Sequence, residues 1–297
     1  MLAQGELFVK ARSKILTSFV AWVGVEQRGP TTLYFASDSR ISWLGEPDTW
    51  DCGRKLFASR TEPEIFGFVG YVLLPQSVLH RCCDLIDQGL RPKECENSAE
   101  LKSQWLFSRV ESELSLHPNN RSISQFSIFY GIRMGIGKPG ATYFHMFEIS
   151  WSPTKKLSMK KIEIPTEISS IIYIDGSGKS SVEEWSARWG KSDQGNTSRT
   201  FFSSFCDSLN SKKDQFSGGE PQLVGIYRTK PAQIFGVVTE RGPSFQGMLN
   251  PGIRDDANIE WRDSLFQRVN SSGKLIKNAQ RHARPKQLQG IPNPSEK

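Results

Sequence analysis

Ile15-Leu16-Thr17-Ser18-Phe19-Val20-Ala21-Trp22-Val23-Gly24-Val25 is the longest apolar run of the chain, and its reading decides the fold. Lys10, Arg12 and Lys14 precede it, an arrangement shared with secretory signal peptides, but Glu26-Gln27-Arg28 follows where a small-x-small cleavage site would stand. Its 11 residues fall well short of the roughly 20 that a membrane-spanning helix needs. Phe19, Ala21, Val23 and Val25 alternate with Ser18, Val20, Trp22 and Gly24, and β-branched and aromatic residues dominate both sets. That pattern predicts a strand covered on both faces.

The neighbouring segments extend the same reading. Arg28-Gly29-Pro30 is a turn, and strands are predicted at 31–37, 54–59 and 64–70. Helical spacing then places Val78, Cys82, Leu85 and Ile86 on one face of 75–88. Leu101, Trp105, Val110 and Leu114 share a face of 98–116, which starts at a Ser98 cap. Strands follow near 122–134, 141–151, 156–164 and 169–175, then helices at 179–189 and 197–211, then strands at 222–228 and 232–240. Blocks of strands separated by pairs of helices predict an α+β fold, antiparallel sheets with helices on their outer faces, and not a doubly wound one. Past residue 250 the chain reads as a loop, an amphipathic helix at 258–269, and a Pro-, Gln- and Lys-rich tail.

At 297 residues, 37% hydrophobic and 23% charged, the chain is neither fibrous nor wholly disordered. The net charge of +7 suggests nucleic acid until it is located. Residues 264–297 carry seven basic side chains, Arg268, Lys274, Lys277, Arg281, Arg284, Lys286 and Lys297, against Glu296, and residues 1–16 add a smaller excess, which leaves 17–263 near neutrality. The basicity belongs to the ends, so nucleic acid is not the expected partner, and 264–297 reads as a solvated extension that folding can spare. Cys52, Cys82, Cys83, Cys95 and Cys206 form no CxxC pair; a disulfide framework, a metal site and a cofactor are not expected, and a reducing, cytoplasmic setting fits. Gly178-Lys179-Ser180 after a strand looks like the end of a phosphate-binding loop, but that motif's first glycine would fall at Tyr173.

Thr17 opens the first strand, Asp38 ends the second in Ser37-Asp38-Ser39-Arg40, and Lys55 lies 17 positions further on in Gly53-Arg54-Lys55-Leu56-Phe57. This pattern resembles the proteasome β subunits, HslV and the Anbu proteins, threonine peptidases of the N-terminal-nucleophile (Ntn) hydrolase superfamily. In those the mature chain begins at Thr, the next strand ends in Asp-Ser-Arg, and a lysine follows at nearly this interval. Phe68-Val69-Gly70 resembles their oxyanion-hole segment, Asp175-Gly176-Ser177-Gly178 their Gly-Ser-Gly, and Asp214-Gln215-Phe216-Ser217-Gly218-Gly219 their Asp-x-x-Ser-Gly-Gly. The resemblance covers residues 17–240. It implies a four-layer αββα sandwich over 17–249, flanked by a leader or wrongly assigned start at 1–16 and a basic, partly helical extension at 250–297.

The chemistry implied is peptide-bond hydrolysis. A threonine hydroxyl needs a base, and a free α-amine has a reference pKa of about 7.7 to 8.0. With Thr17 as first residue its own amine serves. Lys55 as an ammonium favours the alkoxide and Asp38 holds Lys55. Ser177, Asp214 and Ser217 orient the amine, and the Gly70 N–H binds the oxyanion. By position, Ile41, Gly53, Phe68 and Val72 line an apolar specificity pocket that Phe68 narrows. The resemblance further implies a peptide or unfolded-protein substrate and a homo-oligomeric ring, with an ATPase unfoldase partner left open.

The residues before Thr17 depart from the family. Self-removing propeptides end in Gly, whereas Ile15-Leu16 stand here, and an uncleaved Thr17 has an amide in place of an amine. Three readings follow: the leader is cut off by another protease, translation starts at Leu16 through a TTG codon and the methionine is trimmed ahead of Thr17, or the chain is a silent ring subunit or scaffold.

Overall fold

The computed structural model describes residues 17–43, 48–118, 123–192, 194–254 and 257–288; Ile15 and Leu16 lie outside the described residues. The first hairpin is β1 (Ser18–Glu26) and β2 (Gly29–Ser37), followed by the short strands β3 (Ile41–Ser42), β4 (Thr49–Trp50) and β5 (Leu56–Ala58), and by β6 (Glu64–Gly70). Then come α1 (Leu73–Asp87), a 3-10 turn at Lys93–Asn97 and α2 (Ala99–Leu116). Strands β7 (Phe126–Gly135), β8 (Thr142–Ser152), β9 (Lys155–Ile162) and β10 (Ser170–Gly176) lead to α3 (Lys179–Gly190) and α4 (Ser198–Asn210). The chain continues through β11 (Gln222–Tyr227), β12 (Gln233–Thr239), β13 (Gly242–Phe245), β14 (Met248–Leu249), β15 (Trp261–Asp263) and β16 (Arg268–Val269), and a 3-10 turn at Lys286–Leu288 is the last described element.

Two large sheets result. One runs β10-β1-β2-β11-β12-β13-β14, with β15 joining β12 and β16 joining β15; the other runs β5-β6-β7-β8-β9. Every pairing in them is antiparallel except β12 with β15. The fold is therefore mixed α and β, with large antiparallel sheets and four α-helices among the described residues, in the element order that the sequence predicts from 17 to 240 but for the short β3 and β4, which it does not predict.

Period-two alternation explains why β1 is apolar throughout. Phe19 and Ala21 face the second sheet, in a cluster with Leu33, Phe35, Leu56, Ile65, Val69, Phe129 and Met146; the rings of Phe19 and Phe129 stack at 4.2 Å. Val20 and Trp22 face the other way, into a cluster with Val182 of α3 and Phe201, Phe202 and Phe205 of α4. On the far side of the second sheet, Phe57, Phe66 and Phe68 join Leu74, Val78 and Leu79 of α1 and Trp105, Leu106 and Val110 of α2. Each buried side chain of this size contributes about 1.5–3 kcal/mol.

The C-terminal segment departs from expectation twice. Residues 258–269 do not form an amphipathic helix; they hold β15 and β16. Asp263 accepts the N–H groups of Leu265 (2.9 Å) and Gln267 (2.8 Å), closing a turn in which Phe266 has φ +62°. The Trp261 ring covers Gly236, where an added Cβ would come within 2.2 Å of it. Nor is 264–288 a solvated extension. Phe266 packs against Trp22 and Tyr34, with ring centroids at 6.2 and 5.4 Å; Leu288 lies with Trp185 and Trp189 of α3; and Arg284 grips Asp207 of α4. Long-range packing, invisible to local charge counting, overrides the composition here.

Candidate active site

The pairing of Phe19 with Ser37 brings the start of β1 and the end of β2 to one end of the large sheet, so Thr17 and Asp38 emerge side by side. Lys55 precedes β5 in the second sheet, and the site forms where the two sheets meet. Thr17, Asp38 and Lys55 are all buried, at 1%, 0% and 1% exposure. Lys55 Nζ donates to Thr17 Oγ1 at 3.0 Å and to Asp38 Oδ1 at 2.8 Å. Asp38 Oδ1 also accepts the Ser18 N–H (2.9 Å), while Oδ2 accepts those of Gly218 (3.0 Å) and Arg40 (3.1 Å). Burial pushes the Lys55 pKa below its ordinary 10.5, against the opposing pull of the Asp38 charge and hydrogen bond.

A second group approaches Thr17 from its nitrogen side. Thr17 N–H donates to Ser177 Oγ at 3.3 Å. The Ser177 and Ser217 hydroxyls each donate to Asp214 Oδ2 at 2.6 Å, and Ser18 Oγ donates to Ser217 Oγ at 2.8 Å. The turn that carries Ser177 needs its glycine: Gly176 has φ +96°, and a Cβ there would stand 2.0 Å from the Thr17 carbonyl oxygen. Gly178 N–H donates to that same oxygen at 3.3 Å, so the turn that resembles a phosphate loop is engaged by Thr17.

All six residues expected to form the catalytic group are thus joined in one network around Thr17. The remaining expectations are placed more loosely. Gly70 ends β6 at φ +89°; two residues earlier, the Phe68 N–H donates to the Lys55 carbonyl at 3.3 Å, which sets this end of β6 beside Lys55. Ile41 and Gly53 are neighbours, since a Cβ on Gly53 would lie 2.4 Å from Ile41 Cδ1. Phe68 is fully enclosed in the cluster under α1 and α2, with Val72 packed at that cluster's margin. The Phe68 ring offers no surface to solvent, which differs from the pocket wall expected of it. A cleft of about 1150 Å³ lies between residues 58–60, 230–234 and the C-terminal segment and includes none of these side chains.

Sequence reading gave no role to Ser18, Arg40 or Asp51. Ser18 bonds Asp38 through its N–H and Ser217 through its hydroxyl, yet a serine beside a threonine carries no signal. Arg40 holds Asp51 through two bonds (2.7 and 2.8 Å) and donates a third to the Gln215 carbonyl (3.0 Å), tying the β3–β4 hairpin to the loop that carries Asp214 and Ser217. That pairing raises the Arg40 pKa and lowers the Asp51 pKa. Outside the site, Glu62, Glu64 and Glu96 cluster within 4.8 Å, but Lys102 Nζ sits 2.7 Å from Glu64 and 2.8 Å from Glu96, and Arg91 bonds both. The cations already occupy that place.

No model of a known protein family matches the chain, and no curated protein matches it. Solved structures do. Eukaryotic HslV from Trypanosoma brucei is 14% identical, with 70% of this chain and 99% of that one aligned at a TM-score of 0.43. Anbu (ancestral beta-subunit) from Yersinia bercovieri is 13% identical, covering 72% and 82% at 0.46. The helical assembly of the Anbu complex from Pseudomonas aeruginosa is 16% identical, covering 73% and 86% at 0.46. These neighbours are proteasome-like Ntn hydrolase family members.

Proposed function

We propose that this chain is a threonine-type peptidase of the Ntn hydrolase class, with the Thr17 hydroxyl as nucleophile once its nitrogen is a free amine. The observation that carries the reading is the buried contact of Lys55 Nζ with both Thr17 Oγ1 and Asp38. Three apolar clusters, helix to sheet, sheet to sheet and sheet to helix, support four layers in the order αββα, spanning 17–249.

In this mechanism the Thr17 amine takes the hydroxyl proton while Oγ1 bonds to the substrate carbonyl carbon. The electron pair of the C=O moves onto its oxygen, which the Gly70 N–H receives; such a contact is typically worth about 3 kcal/mol. Lys55, fixed by Asp38, stabilises the developing alkoxide and, as a like charge, discourages protonation of the amine. Ser177, Ser217 and Asp214 hold the Thr17 nitrogen. Collapse expels the leaving amine, which takes the proton, and a water then releases the acyl group from Thr17. Ile41 and Gly53, with Val72, border the side chain before the cleaved bond. The substrate is a peptide or unfolded protein, and the working form is a homo-oligomeric ring. No described helix is long and apolar enough to cross a membrane.

A second reading rests on the covalent bond between Leu16 and Thr17. In a chain that keeps Leu16 the Thr17 nitrogen is an amide, with no base to offer, and such a chain is a silent ring subunit or scaffold. A protein beginning at Thr17 is expected to cleave fluorogenic peptides with an apolar residue before the scissile bond, and Thr17→Ala to abolish this. A folded Thr17-initiated protein that neither cleaves a broad peptide library nor reacts with an N-terminal-threonine-directed inhibitor would leave the silent subunit standing. The mass of the native N-terminus tells which form exists in the cell.

A further inference from the structure

Gln222 opens β11, is 1% exposed, and uses both ends of its side-chain amide. The two hydrogens on Nε2 are shared among the Asp38 carbonyl (3.1 Å), the Ser39 hydroxyl oxygen (3.0 Å) and the Gly53 carbonyl (2.8 Å). Oε1 accepts the backbone N–H groups of Lys55 (3.0 Å) and Leu56 (3.4 Å). One side chain of the large sheet therefore grips the main chain of Asp38, which follows β2 of its own sheet, and that of Lys55, which precedes β5 of the other. None of these hydrogen bonds goes to Thr17.

We infer that Gln222 is a positioning residue: its carboxamide fixes the main chains of Asp38 and Lys55 relative to each other and so sets the distance from Lys55 Nζ to Thr17 Oγ1. The inference rests on the peptidase reading of that contact. Only a carboxamide at this reach serves every partner. Glutamate keeps the acceptor for Lys55 and Leu56 but loses the donors, methionine keeps the volume and loses both, and asparagine is one methylene short. A buried amide with all its capacity engaged is worth more as a constraint than as a contact.

The test uses a chain beginning at Thr17, with kcat counted per site titrated by a threonine-directed covalent inhibitor, so that misfolded molecules do not enter the rate. Gln222→Met and Gln222→Glu are each expected to lower kcat by about 10- to 100-fold, as a displacement of about 1 Å does, with KM within about twofold because no substrate contact is removed. The deficit of Gln222→Glu relative to the wild type should narrow as pH falls, because a protonated carboxyl regains a donor. Titration of Lys55 by NMR in lysine-labelled protein should show its pKa moving toward the ordinary 10.5 in Gln222→Met, as the loosened strand admits water. If Gln222→Met does not fold, Gln222→Glu, with its volume and acceptors kept, carries the same comparison. Wild-type kcat per titrated site in a folded variant overturns the inference. A wild-type chain that never turns over overturns the peptidase reading instead, and then an unchanged Lys55 titration in the folded variant overturns the positioning role.

Discussion

Lys55 Nζ stands between Thr17 Oγ1 and Asp38 Oδ1, 3.0 Å from one and 2.8 Å from the other, with all three side chains buried. Removing the cation leaves a buried carboxylate with only backbone partners. Lys55→Ala also empties the space of a fully buried four-carbon side chain and is expected to destabilise the fold by about 2–5 kcal/mol as well as to abolish hydrolysis. Urea unfolding followed beside peptide turnover checks both; a folded Lys55→Ala protein of wild-type stability would refute the expected loss.

The same lysine gives stability a pH dependence of definite sign. Its folded pKa lies below the ordinary 10.5 because burial disfavours the ammonium. Between the two values the unfolded chain holds a proton that the folded chain has released, so this group makes stability rise with pH across that window. Below the window its burial cost is present in full. Wild type minus Lys55→Met, compared by urea unfolding at several alkaline pH values, should show the rise; a flat difference would refute it. Activity should fall on the alkaline side before 10.5, as the ammonium beside Thr17 is lost.

Arg40 is predicted to matter more to turnover than to stability. Its pair with Asp51 is 24% and 36% exposed, and water screens it, so Arg40→Ala should cost no more than about 1 kcal/mol. The lost bond to Gln215 frees the loop carrying Asp214 and Ser217, and kcat should drop about tenfold with KM little changed. Because Asp51 has a lowered pKa, the pair's contribution is present above the ordinary 3.8 and fades as pH falls through the folded value. Thermal melts at acidic and neutral pH, compared with steady-state kinetics, separate these effects.

Deleting residues 264–297 should prevent stable folding, because Phe266 leaves a hole beside Trp22 and Tyr34 and Asp207 loses Arg284. Phe266→Ala alone should cost about 3–5 kcal/mol. Calorimetry of the point variant is the cleaner measurement, and a melting temperature equal to wild type would contradict the packing described.

Much of this was legible in the sequence because it repeats or punctuates. The alternation of Phe19, Ala21 and Val23 marks β1, the helical spacing of Val78, Cys82 and Ile86 marks α1, and the Asp38 and Lys55 motifs bring the main site together. What was illegible has no period to read. Strand β15 has three residues and β16 two, too few to display alternation, and β15 pairs with the distant β12. The charges of 264–297 suggested a solvated tail, since a count of charges cannot register that Arg284 meets Asp207. Ser18 and Gln222 act through hydrogen bonds to partners far away in the chain, and nothing local distinguishes them.

The Phe19–Phe129 stack has a consequence beyond cohesion. Thr17 and Asp38 ride on one sheet and Lys55 on the other, and the two sheets are held face to face largely by side chains such as these two rings. The nucleophile and the ammonium beside it are therefore mounted on separate plates, clamped locally by Gln222 and held at their wider spacing by the seam. A substitution deep in that apolar seam, remote from every polar group of the site, would act on the chemistry as a change of gauge, altering rate without removing any group that takes part.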